Sequence, residues 1–80
     1  MRNEWWTKRI GAAEASIAAR ESESAQNLLG EMADSLTSSS MDQRLYRDEL
    51  KKLRGVLSSV RAGQWDRAQE RFTALAPDLP

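Results

Sequence analysis

The sequence predicts an all-α fold, a three-helix antiparallel bundle in which a long first helix packs on a helix-turn-helix hairpin. Large apolar residues recur at steps of three and four from Tyr46 to Val60, which places them on one side of a helix. The segments on either side repeat the same spacing. We therefore expect one helical domain over residues 1–80, with helices at 3–36, 40–62 and 64–76 and a frayed tail at 77–80.

The first predicted helix begins at Asn3, a residue type suited to capping a helix N-terminus, and continues to Leu36 without a proline. At 100° per residue, a band roughly 80° wide holds its main apolar positions. These are Trp6, Ile10, Ala13, Ile17, Ser24, Leu28 and Met32. An unbroken helix of this length extends about 50 Å.

Polar residues interrupt this band near its middle. Glu14 and Glu21 fall within it, and residues 20–24 contribute no large apolar side chain. The favoured interpretation is that the band rotates onto Ala18, Ala25, Leu29 and Leu36. The alternatives are a polar layer that fixes register or receives a partner's arginine, and a kink within residues 20–24.

The second helix is predicted to begin at Ser39 or Ser40, because each is followed three residues later by Asp or Gln, as in a capping box. It ends near Ala62, where Gly63 takes the position of a C-terminal cap. Gly55 points away from the apolar stripe and is given no packing role. A basic flank runs beside that stripe and consists of Arg44, Arg47, Lys51, Arg54 and Arg61.

Helices joined by short loops pack antiparallel. A turn near Ser38 would bring Glu21 to Arg54 and Glu14 to Arg61, and each exposed pair would contribute about 0.2 to 1 kcal/mol.

Aromatic residues are expected to meet where the first helix extends past the second. Trp65, Phe72 and one of Trp5 and Trp6 should form a single cluster there. Neighbouring residues on a helix point about 100° apart, so Trp5 and Trp6 cannot both face this core. The other tryptophan is expected to be exposed or covered by a second chain.

Composition excludes several classes of function. The chain has no Cys and no His, which removes disulfides, thiolate metal sites and the commonest general base. We expect no catalytic residue, no cofactor and no metal. The net charge is zero, so the chain has no overall positive charge that would attract nucleic acid or anionic lipid. No apolar run is long enough to span a membrane, no signal-peptide pattern is present, and a cytoplasmic location is expected.

One short segment resembles a known family. Gly63, Trp65, Ala68 and Phe72 follow the spacing found in the turn and second helix of a tetratricopeptide repeat. The match covers about a quarter of the chain and departs from the family at Pro77, and the preceding helix lacks the family's Trp and Gly. The resemblance implies a helical hairpin that binds protein.

The sequence therefore predicts a small non-enzymatic protein-interaction module that acts as an adaptor, chaperone or inhibitor by occupying a partner's surface. Its architecture is analogous to secretion co-chaperones and to phage inhibitors of host defence. Self-association through a spare apolar face of the first helix is also expected. The alternatives are a nucleic-acid-binding regulator that uses the basic flank, which is less favoured, and a structural subunit of a larger assembly. The predicted partner-binding residues are Trp5, Trp6, Glu14, Glu21, Arg47, Lys51 and Arg54.

Overall fold

A computed structural model describes residues 3–38 and 46–80, and this part of the chain is all-helical. The helices are α1 (Glu4–Ala18), α2 (Ser22–Ser38), α3 (Arg47–Arg61) and α4 (Trp65–Leu75), followed by a 3₁₀ turn at Ala76–Asp78. The all-α class is confirmed. The three-helix arrangement is not, because the predicted first helix is divided into α1 and α2.

The division between α1 and α2 is a helix-ending motif at Ala19–Glu21. Arg20 adopts a left-handed conformation with φ of 57°, and its N–H bonds to the Ile17 carbonyl at 3.1 Å. The N–H of Glu21 bonds back to the Ser16 carbonyl at 2.9 Å. These two bonds are the Schellman pattern that closes a helix C-terminus. The chain then reverses, so the favoured continuous helix is wrong and the break lies where a kink was considered.

α3 ends in the same motif, as the sequence predicted. Gly63 has φ of 73°, and its N–H bonds to the Val60 carbonyl at 3.0 Å. The N–H of Gln64 bonds to the Ser59 carbonyl at 2.9 Å. The predicted cap at Asn3 is also confirmed, since its side-chain oxygen accepts the Trp5 N–H at 2.8 Å. The predicted start at Ser39 or Ser40 lies outside the described residues, and α3 begins at Arg47.

Contacts between helices show that α1 runs antiparallel to both of its neighbours. Ser16 and Ser24 share a hydrogen bond of 2.9 Å near the α1–α2 turn, and Arg9 meets Glu31 farther from it. At the same turn, Arg20 lies 3.9 Å from Asp66 at the start of α4. Since α3 packs on both α2 and α4, the helices alternate in direction around one core. The longest dimension is 34 Å, shorter than the helix predicted from the sequence.

The core contains apolar side chains from all of the described helices. The predicted band on α1 is buried, but the buried face of α2 is centred on Leu29 and Met32 and leaves Leu28 half-buried. On α3 the buried face turns toward Val56, while Leu50 and Leu57 of the predicted stripe are half-buried. The buried apolar residues are Trp6, Ile10, Ala13, Ile17, Ala25, Leu29, Met32, Leu36, Leu53, Val56, Val60, Ala68, Phe72, Leu75, Ala76 and Leu79.

The predicted aromatic cluster does not form, because its members lie at opposite ends of the bundle. Trp6 is in the first turn of α1, and Trp65 begins α4, which runs antiparallel to α1. In the described residues the one pair of stacked or edge-on aromatic rings is Trp5 and Trp6, with centroids 5.1 Å apart. Phe72 instead lies beside Ile17 in the groove between α1 and α4.

The predicted frayed tail is also wrong. Residues 76–78 form a 3₁₀ turn, and the Leu79 N–H bonds to the Ala76 carbonyl at 3.2 Å. The Leu79 side chain is 5% exposed and belongs to the core cluster. Pro77 does end α4, as its missing N–H requires, but the chain folds back onto the bundle after it.

Candidate protein-interaction surfaces

A group of exposed cations lies on one side of α3, and we call Arg47, Lys51 and Arg54 the cationic face. Their spacing of four and three places them on one flank of the helix, over about 10 Å of its length. They border a groove of about 500 Å³ that also includes the exposed Asp48 and the half-buried Leu50. The cationic face therefore combines positive charge with the half-buried Leu50, while Arg44 of the predicted basic flank lies outside the described residues.

The cations of this face have no ion-pair partner among the described residues, and the same is true of Lys52 and Arg67. Within residues 3–38 and 46–80, no carboxylate forms an ion pair with Arg47, Lys51 or Arg54. Other basic side chains are engaged inside the chain. Lys8 pairs with Glu4, Arg9 with Glu31 and Arg20 with Asp66, while Arg61 and Arg71 donate hydrogen bonds to neighbouring helices. The described residues thus leave the positive charge of the cationic face without an ion-pair partner.

The predicted ion pairs of Glu14 and Glu21 are absent from the described residues, because the helix register differs. Arg61 donates to the Gln26 side chain at 3.3 Å, so α2 and α3 are displaced by about nine residues from the predicted register. That prediction assumed a turn near Ser38, whereas α2 itself runs to Ser38. The two carboxylates also lie apart, in different grooves, and both are exposed. Glu14 faces α4, and Glu21 lies between α1 and α2.

A second surface, which we call the acidic groove, lies between α1 and α2. It measures about 710 Å³ and contains Glu21, Glu23 and Glu31 around the half-buried Leu28. Glu31 is held by Arg9, with 3.1 Å between its Oε2 and the Arg9 Nε. Within the described residues no cation pairs with Glu21 or Glu23. Sequence reasoning identified only Glu21 of this group, although all three carboxylates lie within residues 21–31 and α1 adds only Ala12 to the groove.

The two tryptophans occupy different environments. Trp6 is 6% exposed and belongs to the core, so it is not available as a contact residue. Trp5 is half-buried and lies beneath Arg9, whose guanidinium carbon is 4.2 Å from the ring centroid. The stacking lies within α1, and the same Arg9 side chain reaches α2 through its ion pair with Glu31. Trp5 therefore contributes to the hairpin and presents only part of its ring to solvent.

A third groove, of about 560 Å³, separates α3 from α4, and the sequence gave no signal for it. Gly55 lies in this groove below Arg71, whose Nη1 donates to the Gly55 carbonyl and the Ser59 hydroxyl at 3.3 Å each. A Cβ at Gly55 would lie 3.5 Å from the same Nη1 atom. Gly55 thus lies at a helix contact, although the sequence assigned it no packing role.

The residues that resemble a tetratricopeptide repeat do form a helical hairpin. Gly63 makes the turn, Trp65 begins α4, and Ala68 and Phe72 are buried. Comparisons of the whole chain with family models, curated proteins and solved structures find no match. The hairpin geometry is therefore the extent of the resemblance that the findings support.

None of the described helices combines the length and the apolar character that a membrane crossing requires. In the described part of the chain, no three acidic side chains converge as metal ligands would. The apolar band of α1 is buried inside the chain, and self-association through the predicted first helix stays a prediction.

Proposed function

We propose that this chain is a non-enzymatic protein-interaction module, an adaptor, chaperone or inhibitor that occupies a partner's surface through the cationic face. The supporting observation is that Arg47, Lys51 and Arg54 are exposed around Leu50 and make no ion pair with a described residue. Unpaired charge around an apolar centre is suited to a complementary, acidic protein surface. The partner we propose therefore carries carboxylates around an exposed apolar side chain.

Two observations support the proposal that the chain is not an enzyme. The chain contains neither His nor Cys, the residues most often used as general base and as nucleophile. The carboxylates of Glu14 and Glu21, the two acidic residues within the predicted apolar band, lie in separate grooves. A pair of cooperating carboxylates needs a shared site, so these two residues do not supply one.

Nucleic-acid binding is the competing function for the same cations. Arg47, Lys51 and Arg54 follow one helix flank and could contact successive phosphates. Against this stands the chain's net charge of zero, which provides no long-range attraction to a polyanion. The half-buried Leu50 at the centre of the cations also favours a protein partner.

The test compares the wild-type chain with a triple variant, Arg47→Glu/Lys51→Glu/Arg54→Glu. The control is Arg67→Glu, which reverses an exposed cation on α4. Each immobilised protein is exposed to lysate of the native cell, and bound proteins are identified by mass spectrometry and measured again by calorimetry after purification. We expect an acidic partner that binds the wild type and the control and is lost with the triple variant.

Two results would decide against this function. If the partner bound the triple variant as tightly as the wild type, the cationic face would not take part in the interaction. Binding of a DNA or RNA duplex that weakens steeply between low and moderate salt, and that the triple reversal abolishes, would favour the nucleic-acid function.

A further inference from the structure

We propose that the groove between α3 and α4 binds an acidic segment of a partner protein, one that places a carboxylate beside a large apolar side chain. Arg71 receives the carboxylate, and the apolar lining of the groove receives the neighbouring side chain. The inference rests on the proposed function in taking the occupant to be a protein. It goes beyond that function by naming a second surface, which Arg47 and Arg54 do not border, and the chemistry that this surface recognises.

The α3–α4 groove combines apolar surface with positive charge. It measures about 560 Å³, within the range of about 300 to 1,000 Å³ that is typical of ligand pockets. Its small residues, Gly55 and the exposed Ala74, leave room beside the buried Leu75 for a partner's apolar side chain. The charged lining has three cations and one carboxylate, a net charge of +2, from Lys51, Lys52, Arg71 and Asp48. The groove is therefore complementary to an acidic, partly apolar ligand.

The Arg71 guanidinium is held on one edge and free on the other. Its Nη1 donates to the Gly55 carbonyl and to the Ser59 hydroxyl at 3.3 Å each. Ser59 is 3% exposed, and its hydroxyl donates to the same Gly55 carbonyl at 3.1 Å, which fixes both acceptors. Among the described residues, Nε and Nη2 of Arg71 have no hydrogen-bond partner. These two nitrogens form an edge that can bind both oxygens of a carboxylate, so the guanidinium is preorganised for that group.

Unpaired charges occur on several surfaces of the chain, so charge alone does not distinguish this groove. Its distinguishing feature is that cations of two helices converge on apolar surface, with Lys51 and Lys52 on α3 and Arg71 on α4. Neither lysine forms an ion pair with a described residue. In the groove at the start of α4, by contrast, Arg20 already lies beside the carboxylate of Asp66.

The groove adjoins the cationic face, and this determines the kind of occupant. Lys51 and Asp48 border both surfaces. The lining residues of α3 extend from Asp48 to Gly55, over about 10 Å of the helix. A ligand that fills the groove therefore continues onto an exposed, charged face. A protein segment can cover both surfaces, whereas a small molecule would fill the groove alone.

The first experiment selects ligands from a phage-displayed library of random peptides on the immobilised full chain. The same library is selected in parallel on Lys52→Gln/Arg71→Gln, after circular dichroism has confirmed that this variant is helical. We expect the wild type to enrich peptides that carry aspartate or glutamate within four positions of a large apolar residue. The same peptides should be absent from the pool selected on the variant.

Calorimetric titration of the most enriched peptide then measures the role of each cation. Arg71→Gln should weaken binding about 10- to 100-fold, the change expected for a hydrogen bond to a charged group. Arg71→Lys should stay weaker than the wild type, because lysine keeps the charge but lacks the planar edge. Lys52→Gln, which breaks no hydrogen bond among the described residues, should weaken binding about two- to fivefold. The control Lys8→Gln removes an exposed cation on α1 and should change the affinity by less than about twofold.

Three results would overturn the proposal. The first is a wild type that enriches no acidic peptide, or the same peptides as the variant. The second is an enriched peptide that binds Arg71→Gln and Lys52→Gln as tightly as the wild type. The third is tighter binding of decanoate or of a short DNA duplex than of the peptide, since the groove would then serve a small amphiphilic acid or a nucleic acid.

The design separates failure of this inference from failure of the proposed function. If the enriched peptides depended on Arg47 and Arg54 but not on Arg71, the groove would be refuted and the proposed function would stand. If the peptides depended on Arg71 while the triple reversal left capture of the partner unchanged, the cationic face would be excluded and the groove would stand.

Discussion

Arg20 and Gly63 hold equivalent positions in two copies of the same helix-ending motif. Arg20 has φ of 57° after α1, and Gly63 has φ of 73° after α3. In both motifs the left-handed residue donates to a carbonyl three residues back, and the next residue donates to one five residues back. Glycine adopts this conformation without steric penalty, whereas other residues hold it at a cost of about 1 to 2 kcal/mol. One turn is therefore made by a favourable residue and the other by a strained one.

Replacing Arg20 by Gly should consequently stabilise the fold. The relief of left-handed strain exceeds the entropy that glycine adds to the unfolded chain, and we expect a gain of about 1 kcal/mol. The lost contact to Asp66 subtracts little, because both side chains are more than half exposed and the charged atoms are 3.9 Å apart. Urea denaturation monitored by circular dichroism measures this difference.

The corresponding substitution at the other turn should have the opposite effect on stability. Gly63→Ala should destabilise the fold by about 1 kcal/mol, since no neighbouring atom lies within 4 Å and only the positive φ opposes the side chain. Asp66→Asn serves as the control for the exposed ion pair and should change stability by under about 0.5 kcal/mol. If Arg20→Gly lowered stability, the left-handed conformation would not be a source of strain.

The same pair of residues explains how far the fold could be predicted from sequence. Gly63 marks its turn by residue type, and Asn3 marks a helix start in the same way, so both were found. Arg20 is an ordinary residue for a helix interior, so its residue type does not mark the left-handed conformation, and the polar run at residues 20–24 indicated only a possible kink. The turn at Arg20 is fixed by tertiary packing, since folding back lets Ile17 and Leu29 join one core. The register between α2 and α3 was misplaced for a separate reason, because the prediction put the connecting turn near Ser38 whereas α2 itself runs to Ser38.

The candidate surfaces also differ in how much of each could be predicted from the sequence. Arg47, Lys51 and Arg54 lie on one helix, so their spacing alone was enough to group them. The acidic groove is completed by Ala12 of α1, so its shape depends on the α1–α2 hairpin, although its three carboxylates all lie within residues 21–31. The groove below Arg71 likewise depends on the register of α3 and α4. Spacing along one helix is readable from sequence, whereas contacts between helices require the turn positions.

The hydroxyl groups of Ser16 and Ser24 provide a second prediction. They are 2.9 Å apart across the α1–α2 hairpin, and the Ser16 residue is 7% exposed. Replacing either serine by alanine should remove this hydrogen bond, while replacing both should cost less than the sum of the single changes. We expect a coupling energy of about 0.5 to 1.5 kcal/mol from the double-mutant cycle, measured by thermal and urea unfolding. Strict additivity would mean that the hydroxyls do not interact.

Replacing Glu49 by an apolar residue is predicted to increase the stability of the fold. Among the described residues its Oε2 atom is buried and has no hydrogen-bond partner. A buried, unpaired acceptor costs about 1 to 3 kcal/mol, whereas a carboxylate in the first turn of α3 gains only about 0.3 to 1 kcal/mol from the helix dipole. Glu49→Met should therefore stabilise the chain by about 1 kcal/mol. Glu70→Met, at an exposed position, should stay within about 0.5 kcal/mol of the wild type, and a loss of stability in Glu49→Met alone would show that the carboxylate is satisfied.

The last prediction concerns Leu79, which the sequence assigned to a frayed tail. Its side chain is 5% exposed within the core cluster, and its N–H bonds to the Ala76 carbonyl. Truncation of a buried leucine to alanine removes apolar contacts and leaves a cavity, at a typical cost of 2 to 5 kcal/mol. Because Leu79 packs at the edge of the bundle, where the site can partly collapse, we expect Leu79→Ala to cost about 2 kcal/mol.

Asp78→Ala, at the exposed neighbouring position, should cost under about 0.5 kcal/mol. For a chain of 80 residues, this difference corresponds to a melting temperature lower by roughly 10 °C, which calorimetry resolves easily. Equal melting temperatures for the two variants would mean that residues 77–80 contribute nothing to the core, as a frayed tail would.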